Sequence, residues 1–369
     1  MVSFETLYSM GHEQVVFFSD TSCGLKAIIA IHNTILGPAL GGTRMWPYKS
    51  EEDALTDVLR LSKGMTYKAA ISGLNLGGGK GVIIGDPSTD KSEALFRSYG
   101  RFIESLNGRY ITAEDVNMGV ADIEHIYTET GNVCGVAKTH GGSGNPSPYT
   151  ALGVFRGMEA SCATVYGDRS VKGKTVALQG VGSVGFHLGK TLTQNGAKIF
   201  FSDMNEANVE RFKEVSPNAE FVSLDEIYDV DCDIYAPCAL GATVNDSTID
   251  RLKCKIVSGG ANNQLAEPRH GKILKEKDIL YAPDYLINAG GLMNVSIEFE
   301  GWSDDKARRM VDTIYDTTLR IFKVSKEKDI PVYQATDLLA ENRLESIKRL
   351  KGPYLGNLPH RFPGRKSRY

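Results

Sequence analysis

The segment TVALQGVGSVG, residues 175–185, decides how this 369-residue chain folds. Its first five residues predict a buried strand, and a G-x-G-x-x-G pattern then starts at Gly180 and leads into a helical pattern that runs through Leu192. Gly180 would make the tight turn, Gly182 would let backbone approach a pyrophosphate, and Gly185 would let the helix pack closely on the strand. A strand, glycines and a helix in this order predict a dinucleotide-binding unit.

A second predicted strand, residues 198–202, ends directly before Asp203, which follows Gly180 by 23 residues. A carboxylate at about 20 residues from the first glycine accepts hydrogen bonds from the adenosine ribose. It also repels a 2′-phosphate, and Met204 and Asn205 supply no compensating cation, so the pattern predicts NAD rather than NADP. The residues that this pattern assigns to the cofactor are Gly180, Gly182, Ser183, Val184, Gly185 and Asp203.

Strand and helix patterns alternate from about residue 150 to residue 295, as in a parallel sheet with crossover helices. The first 145 residues mix strand and helix signals, and the breaker cluster GGSGNPSP, residues 141–148, follows them. We therefore predict an α/β protein with two domains. Residues 1–145 would form an α/β catalytic, substrate-binding and oligomerisation domain, and residues 146–330 a Rossmann-type doubly wound NAD domain. A C-terminal helix within residues 331–369 would pack back on the first domain.

The composition is that of a globular chain. Lys and Arg number 42 against 45 Asp and Glu, so the formal charge is -3, and this balance predicts binding to neither nucleic acid nor a membrane. Six cysteines without a C-x-x-C pair predict reduced thiols, no disulfide framework and no metal site. The first residues lack the pattern of a signal peptide, and a cytoplasmic location is expected.

Lys80 follows three glycines, residues 77–79, in a pattern that superficially resembles a phosphate-binding loop. That interpretation fails, because Leu74 and Gly81 stand where the loop needs Gly and Ser or Thr. Bare backbone beside a lysine would instead let a small substrate approach closely. Lys80 is therefore a candidate catalytic residue.

Lys68 and Asp115 complete a candidate reacting site with Lys80. Two ammonium groups in one dry pocket lower each other's pKa, so one could act as a general base while the other pairs with a substrate carboxylate. Asp115, at the end of a short predicted strand, would transfer protons. The plainer alternative is that each of the three is a solvated charge or a surface ion pair.

Several further segments share their order and residue pattern with one enzyme family. They are Gly37–Arg44, Gly64–Lys68, Gly77–Lys80, Asp86-Pro87, Asp115, Ser143–Pro146, Ala236–Ala239, Ala261–Gln264, Tyr281–Asp284 and Tyr285–Gly291. Together they resemble the amino-acid dehydrogenases of the Glu/Leu/Phe/Val type. The resemblance extends in order from about residue 10 to residue 350.

This resemblance implies reversible oxidative deamination of an L-amino acid by NAD, with a 2-oxo acid, ammonia and NADH as products. By resemblance, Lys68 would bind the substrate carboxylate, Lys80 would activate the attacking water, and Asp115 would move protons to and from the amino group. Thr150, Asn262 and Asn288 would orient the nicotinamide and the substrate, and Ala239 would lie at the cofactor. Members of the family close a cleft between two domains and are usually homo-oligomers, often octamers.

The substrate pocket implied by the resemblance is apolar apart from its two lysines. Its walls would be Leu40, Met65, Ala113, Leu292 and Val295, and Gly41 and Asn288 would also bind the substrate. None of the walls can pair with a second carboxylate, which disfavours glutamate and favours leucine, valine and isoleucine. Leu292 and the segment Asn117-Met118-Gly119 instead resemble members that act on phenylalanine or tryptophan, and aromatic substrates remain the alternative.

Two functions outside this class are further alternatives. An NAD-dependent hydroxy-acid dehydrogenase would normally use a catalytic histidine, and the sequence offers no convincing histidine partner for Lys80. A non-catalytic NAD-binding or redox-sensing protein would have no need to keep Lys68, Lys80 and Asp115 together.

Overall fold

The computed structural model describes residues 4–350. In chain order its helices are α1 (Phe4–Met10), α2 (Glu51–Ile71), α3 (Glu93–Ser105), α4 (Val120–Tyr127), α5 (Ser147–Tyr166), α6 (Ser183–Gln194), α7 (Glu206–Val215), α8 (Pro268–Glu276), α9 (Asp284–Ile287), α10 (Gly290–Ser296), α11 (Asp304–Lys328) and α12 (Val332–Lys348). The strands are β1 (Gln14–Asp20), β2 (Leu25–Asn33), β3 (Ala39–Leu40), β4 (Thr43–Trp46), β5 (Gly77–Ile84), β6 (Tyr110–Ile111), β7 (Thr175–Gln179), β8 (Lys198–Ser202), β9 (Glu220–Phe221), β10 (Ile234–Pro237), β11 (Ile256–Val257) and β12 (Leu280–Tyr281).

The chain forms two compact units, which we call the first and the second unit. The first unit contains the residues up to Asn145, the segment Val295–Ser303 and the chain from Ala340 onward, and the second unit contains Pro146–Asn294 and Asp304–Leu339. The predicted α/β class with a Rossmann-type sheet is confirmed. None of the helices within residues 4–350 is both long and apolar enough to cross a membrane.

The sheet of the first unit is mixed. Strands follow the order β1-β2-β5-β3-β6, and β4 pairs with β5. The pairs β1–β2 and β2–β5 are antiparallel, whereas β3 and β4 both run parallel to β5. In the sequence, Ser50 with Asp53 forms a capping-box pattern and a helix is predicted to start near Ser92. Helices α2 and α3 begin there, and the hydroxyls of Ser50 and Ser92 accept the backbone N–H groups of Asp53 and Leu95.

The sheet of the second unit is parallel throughout, with the strand order β12-β11-β10-β7-β8-β9. This is the order of a doubly wound dinucleotide-binding sheet, in which the order reverses between the first and fourth strands, here β7 and β10. Strands β7 and β8 have the predicted bounds. A ligand is therefore expected beside the carboxyl ends of β7 and β10, where the glycine pattern begins.

Part of the predicted C-terminal helix lies in the first unit. Arg343 of α12 donates to the carbonyl of Ala70 at 2.8 Å and to the Asn75 side chain at 3.1 Å. These bonds give the end of α2 partners for carbonyls that have none within the helix. Residues 351–369 of the predicted segment lie outside the described residues.

The glycines of β5 are required by protein packing. A Cβ on Gly78 would lie 2.1 Å from the backbone nitrogen of Thr66 in α2, and one on Gly81 would lie 2.1 Å from the Tyr99 hydroxyl. A Cβ on Gly79 would meet the Tyr110 ring at 2.8 Å. The expectation that these glycines leave room for a substrate is therefore wrong, because other parts of the first unit fill the space beside them.

Replacing Gly78 tests this close packing. We expect Gly78→Ala to lower the free energy of unfolding by at least about 3 kcal/mol, because its Cβ would overlap a backbone nitrogen that cannot move alone. Gly64→Ala is the matched control on α2, because nothing lies within 4 Å of its new Cβ. Its free energy of unfolding should rise by roughly 0.8–1 kcal/mol, since alanine has the higher helix propensity. Urea unfolding of the two variants measures both values, and equal stability would contradict the packing argument.

Candidate active site

Lys80 is a buried lysine at the centre of the first unit's sheet. It lies on β5 and is 5% exposed. Successive side chains on a strand point to opposite faces, so Lys80 shares the face of Gly78, on the side of α2. Its Nζ lies 3.0 Å from Oδ2 of Asp115, which follows β6. The structure thus brings the two predicted catalytic residues into one ion pair.

Arg44 is a second cation on the same carboxylate, and it is not among the residues predicted for the site. From β4, its Nε donates to Oδ2 of Asp115 at 3.0 Å, and its Nη1 donates to Oδ2 of Asp57 at 2.9 Å. The hydroxyl of Tyr48 also donates to Asp57, at 2.7 Å. Arg44 is the last residue of the segment Gly37–Arg44, which shares its pattern with the enzyme family. This motif was the signal in the sequence that could have pointed to Arg44.

These charges determine the protonation of the pair. Burial lowers the pKa of Lys80, Asp115 opposes this effect, and the positive charge of Arg44 adds to it. Burial alone would raise the pKa of Asp115, but Lys80 and Arg44 outweigh it and hold the pKa below its usual value. Asp115 is therefore a carboxylate at neutral pH, and Lys80 gives up its proton more readily than a solvated lysine.

Gly41 and Gly42 bring the loop after β3 against both members of the pair. A Cβ on Gly41 would lie 1.7 Å from the carbonyl oxygen of Gly79 and 3.4 Å from the Cα of Lys80. A Cβ on Gly42 would lie 3.1 Å from the Cβ of Asp115. Close backbone contact thus explains both glycines and places the predicted residue Gly41 directly beside Lys80.

The other predicted substrate residues of the first unit line its interior. Leu40, Ala113 and Val295 are buried apolar side chains, and Met65 is half-buried on α2. Lys68 is half-buried in the last turn of α2, the helix that also carries Asp57. That Lys68 shares a pocket with Lys80 stays a prediction.

In the second unit, the predicted glycine turn is tight and closely packed. Gly180 has a φ of +91°, and a Cβ there would lie 2.7 Å from the Cβ of Ala239. A Cβ on Gly185 would lie 1.9 Å from the carbonyl oxygen of Gly180. At Gly182 nothing lies within 4 Å, and no side chain caps the start of α6. The N–H groups at this helix start, where the exposed Ser183 and half-buried Val184 lie, suit a phosphate group.

Asp203 lies at the end of β8, and its carboxylate is tied to this turn. Its Oδ2 accepts the N–H of Val181 at 2.8 Å, and its Oδ1 accepts the N–H of Asn205 at 2.8 Å. Asn208 also donates to both oxygens, at 3.4 Å each. Ribose hydroxyls would take the place of these two long bonds, so the carboxylate can accept them. The residues present thus fit an adenosine ribose without a 2′-phosphate.

The predicted nicotinamide residues of the second unit form two contacts. The buried Asn288 donates to Oδ1 of Asn262 at 2.7 Å. Thr150 donates to the carbonyl of Pro146 at 3.2 Å, and its Oγ1 would lie 2.6 Å from a Cβ on Gly291. Leu292, the next residue, is buried. The structure therefore joins Asn262 to Asn288 and sets Thr150 beside the start of α10.

The two buried histidines of the first unit have structural roles. His12 and His32 contact the Ser62 and Thr66 hydroxyls of α2, each at 2.8 Å. Burial lowers the pKa of His12 to about 4 and that of His32 to about 3, so both are neutral at neutral pH. Lys80 pairs with a carboxylate and not with these rings, which disfavours a hydroxy-acid dehydrogenase that works through a histidine.

Matches to known proteins extend over most of the chain. Residues 12–132 match the model described as Glu/Leu/Phe/Val dehydrogenase, dimerisation domain, and residues 201–352 match that of Glutamate/Leucine/Phenylalanine/Valine dehydrogenase. A leucine dehydrogenase of Thermoactinomyces intermedius is 55% identical over 96% of this chain and 97% of its own length. A phenylalanine dehydrogenase of the same organism is 46% identical over 94% of this chain and 95% of its own length.

Among solved structures, the crystal structure of L-tryptophan dehydrogenase from Nostoc punctiforme is similar with a TM-score of 0.83. It is 46% identical, and the match covers 94% of this chain and 100% of that chain. Both units of the fold therefore have counterparts in an amino-acid dehydrogenase.

Proposed function

We propose that this chain, which belongs to the Glu/Leu/Phe/Val dehydrogenase family, oxidatively deaminates L-leucine, and also valine and isoleucine, with NAD. The amino acid, NAD⁺ and water would give the 2-oxo acid, ammonium, NADH and a proton, reversibly. The observation that carries the choice of leucine is the 55% identity with a leucine dehydrogenase, against 46% with a phenylalanine dehydrogenase of the same organism.

The charged residues of the first unit support the chemistry. Asp115, held ionised by two cations, would accept a proton from the substrate ammonium group. NAD, when bound, supplies the acceptor for the hydride of the Cα. Lys80, whose pKa burial lowers, would take a proton from the water that attacks the resulting imine carbon. Lys68 would pair with the substrate carboxylate.

The apolar residues support a substrate with an apolar side chain. Leu40, Ala113, Val295 and Leu292 are all buried and carry no charge. A second carboxylate on the substrate would have no partner among them, and an unpaired buried charge costs several kcal/mol. These residues therefore disfavour glutamate.

A specific observation favours aromatic amino acids as the second candidate. Asn117 has a φ of +61° and donates to the carbonyl of Met45 at 3.0 Å, and Met118 is buried. This segment and Leu292 are the positions that resemble the family's aromatic-specific members. Because one methylene changes discrimination by only about 1–3 kcal/mol, few substitutions separate the two substrate classes.

A substrate panel tests the choice. With NAD and leucine, valine, isoleucine, phenylalanine, tryptophan or glutamate, we expect kcat/KM for leucine to exceed that for either aromatic amino acid at least about tenfold. NADH absorbance measures the rates. If kcat/KM is higher for phenylalanine or tryptophan than for leucine, the aromatic amino acid is the substrate. If the protein oxidises none of the six amino acids, the proposed deamination is refuted.

Lys80→Ala tests the base. We expect kcat to fall by about 10²–10⁴-fold, the usual contribution of a general base, while NADH affinity measured by fluorescence stays within about twofold, as Lys80 is not in the nucleotide-binding unit. Lys91→Ala is the matched control, since Lys91 also pairs with a carboxylate, Asp122, but is 31% exposed. Substantial turnover in Lys80→Ala would remove Lys80 from this role.

Asp203→Asn tests the choice of cofactor. The amide keeps an acceptor for the N–H of Val181 but removes the charge that would repel a 2′-phosphate. We expect the ratio of kcat/KM with NAD to that with NADP to fall at least about tenfold. An unchanged ratio would show that Asp203 does not face the ribose.

We further propose a cytoplasmic homo-oligomer, as an octamer by family resemblance. The match of residues 12–132 to a dimerisation domain supports assembly. All six cysteines are free, which is typical of a reducing compartment.

A further inference from the structure

The two cations beside Asp115 contact the same oxygen of its carboxylate. Lys80 and Arg44 both contact Oδ2, each at 3.0 Å. Within residues 4–350, no hydrogen bond to Oδ1 is present. One oxygen is therefore held by two cations while the other keeps its lone pairs available.

Arg44 is itself held in place from its other side. Its Nη1 binds Oδ2 of Asp57, and Asp57 also accepts the Tyr48 hydroxyl. Burial would raise the pKa of Asp57, but hydrogen bonds from Tyr48 and Arg60 and the charge of Arg44 outweigh it, so Asp57 stays ionised. The side chains of Arg44 and Asp57 are only 22% and 16% exposed. Arg44 thus bridges two carboxylates with two different nitrogens of one planar group.

We propose that Arg44 is a positioning residue that holds Asp115 with Oδ2 toward Lys80 and leaves Oδ1 for the substrate nitrogen. The inference rests on the proposed deamination. In that step, the N–H bond of the substrate ammonium breaks, its electron pair stays on nitrogen, and Oδ1 takes the proton to give a neutral carboxylic acid. In the reverse direction Oδ1 returns the proton.

A single lysine at position 44 could not do the same. An ammonium is a point charge, whereas the guanidinium presents separate N–H groups in fixed directions to Asp115 and Asp57. Lysine would restore the positive charge near Asp115 without fixing the direction of its carboxylate. Charge and geometry can therefore be separated experimentally.

The test compares Arg44→Ala and Arg44→Lys with Arg60→Ala. Arg60 also contacts Asp57, but from the solvent side, through Oδ1 at 3.1 Å and with 59% of its side chain exposed. For each full-length variant, kcat and KM are measured across pH with the amino acid that the wild type oxidises fastest. Rates are repeated with guanidinium chloride at tens of millimolar, and thermal unfolding checks that each variant is folded.

We expect Arg44→Ala to lower kcat about 10- to 100-fold with a smaller change in KM. Its pH profile should move to higher pH, because loss of one cation raises the pKa of Asp115 and of Lys80 together. Of the other groups nearby, Asp57 also loses a cation that lowers its pKa, whereas Tyr110 does not pair with Arg44. Added guanidinium should restore part of the rate to this variant only. Arg44→Lys should recover the pH profile but not the rate, and Arg60→Ala should stay within about twofold of the wild type.

Three results would overturn the proposal. They are a wild-type rate in Arg44→Ala, a lowered rate with an unmoved pH profile and no response to guanidinium, and full recovery by Arg44→Lys. If the wild type oxidises no amino acid, the proposed function fails first, and a crystal structure of Arg44→Lys then decides. A carboxylate of Asp115 that keeps its direction there would refute the positioning role, and a rotated one would support it.

Discussion

The backbone of α2 lies so close to β5 that Gly78 has no room for a Cβ, and the site of the first unit depends on this contact. A strand that carries Gly77, Gly78, Gly79 and Gly81 gains little from its own side chains. It is held instead by its neighbours, which occupy the space that those side chains would take. Lys80 is the long side chain within this run, and its position follows from the backbone that surrounds it. Its burial is thus a consequence of strand packing.

That burial would be unfavourable for an isolated ammonium group. An uncompensated buried charge costs several kcal/mol, and the cost is offset only when partners and hydrogen bonds surround it. In the first unit the charges alternate from Lys80 to Asp115, Arg44 and Asp57, and each neighbouring pair is separated by 2.9 or 3.0 Å. Such a row gives each charge an opposite neighbour, and one proton moved at either Lys80 or Asp115 changes the balance. This is the property that a proton-transfer site requires.

Local signals in the sequence predicted local structure well. The glycine pattern after residue 179 and the capping serines at positions 50 and 92 gave correct element starts, because each signal acts within a few residues. The contacts of Arg44 were not predicted, since its partners Asp57 and Asp115 lie 13 and 71 residues away in the chain. The packing of other residues against the β5 glycines was not predicted for the same reason. A glycine shows that space is needed, but only the fold shows whether protein or ligand takes it.

The assignment of residues after Ala340 to the first unit has a consequence for the order of folding. The contacts of Arg343 with Ala70 and Asn75 close the end of α2 with a side chain that is made 273 residues after Ala70. Domains generally fold as they leave the ribosome, the N-terminal one first. Here the second unit is complete once Leu339 has emerged, whereas the first still lacks its last segment. The first unit is therefore finished after the second, and until then a nascent chain exposes the unfinished end of α2.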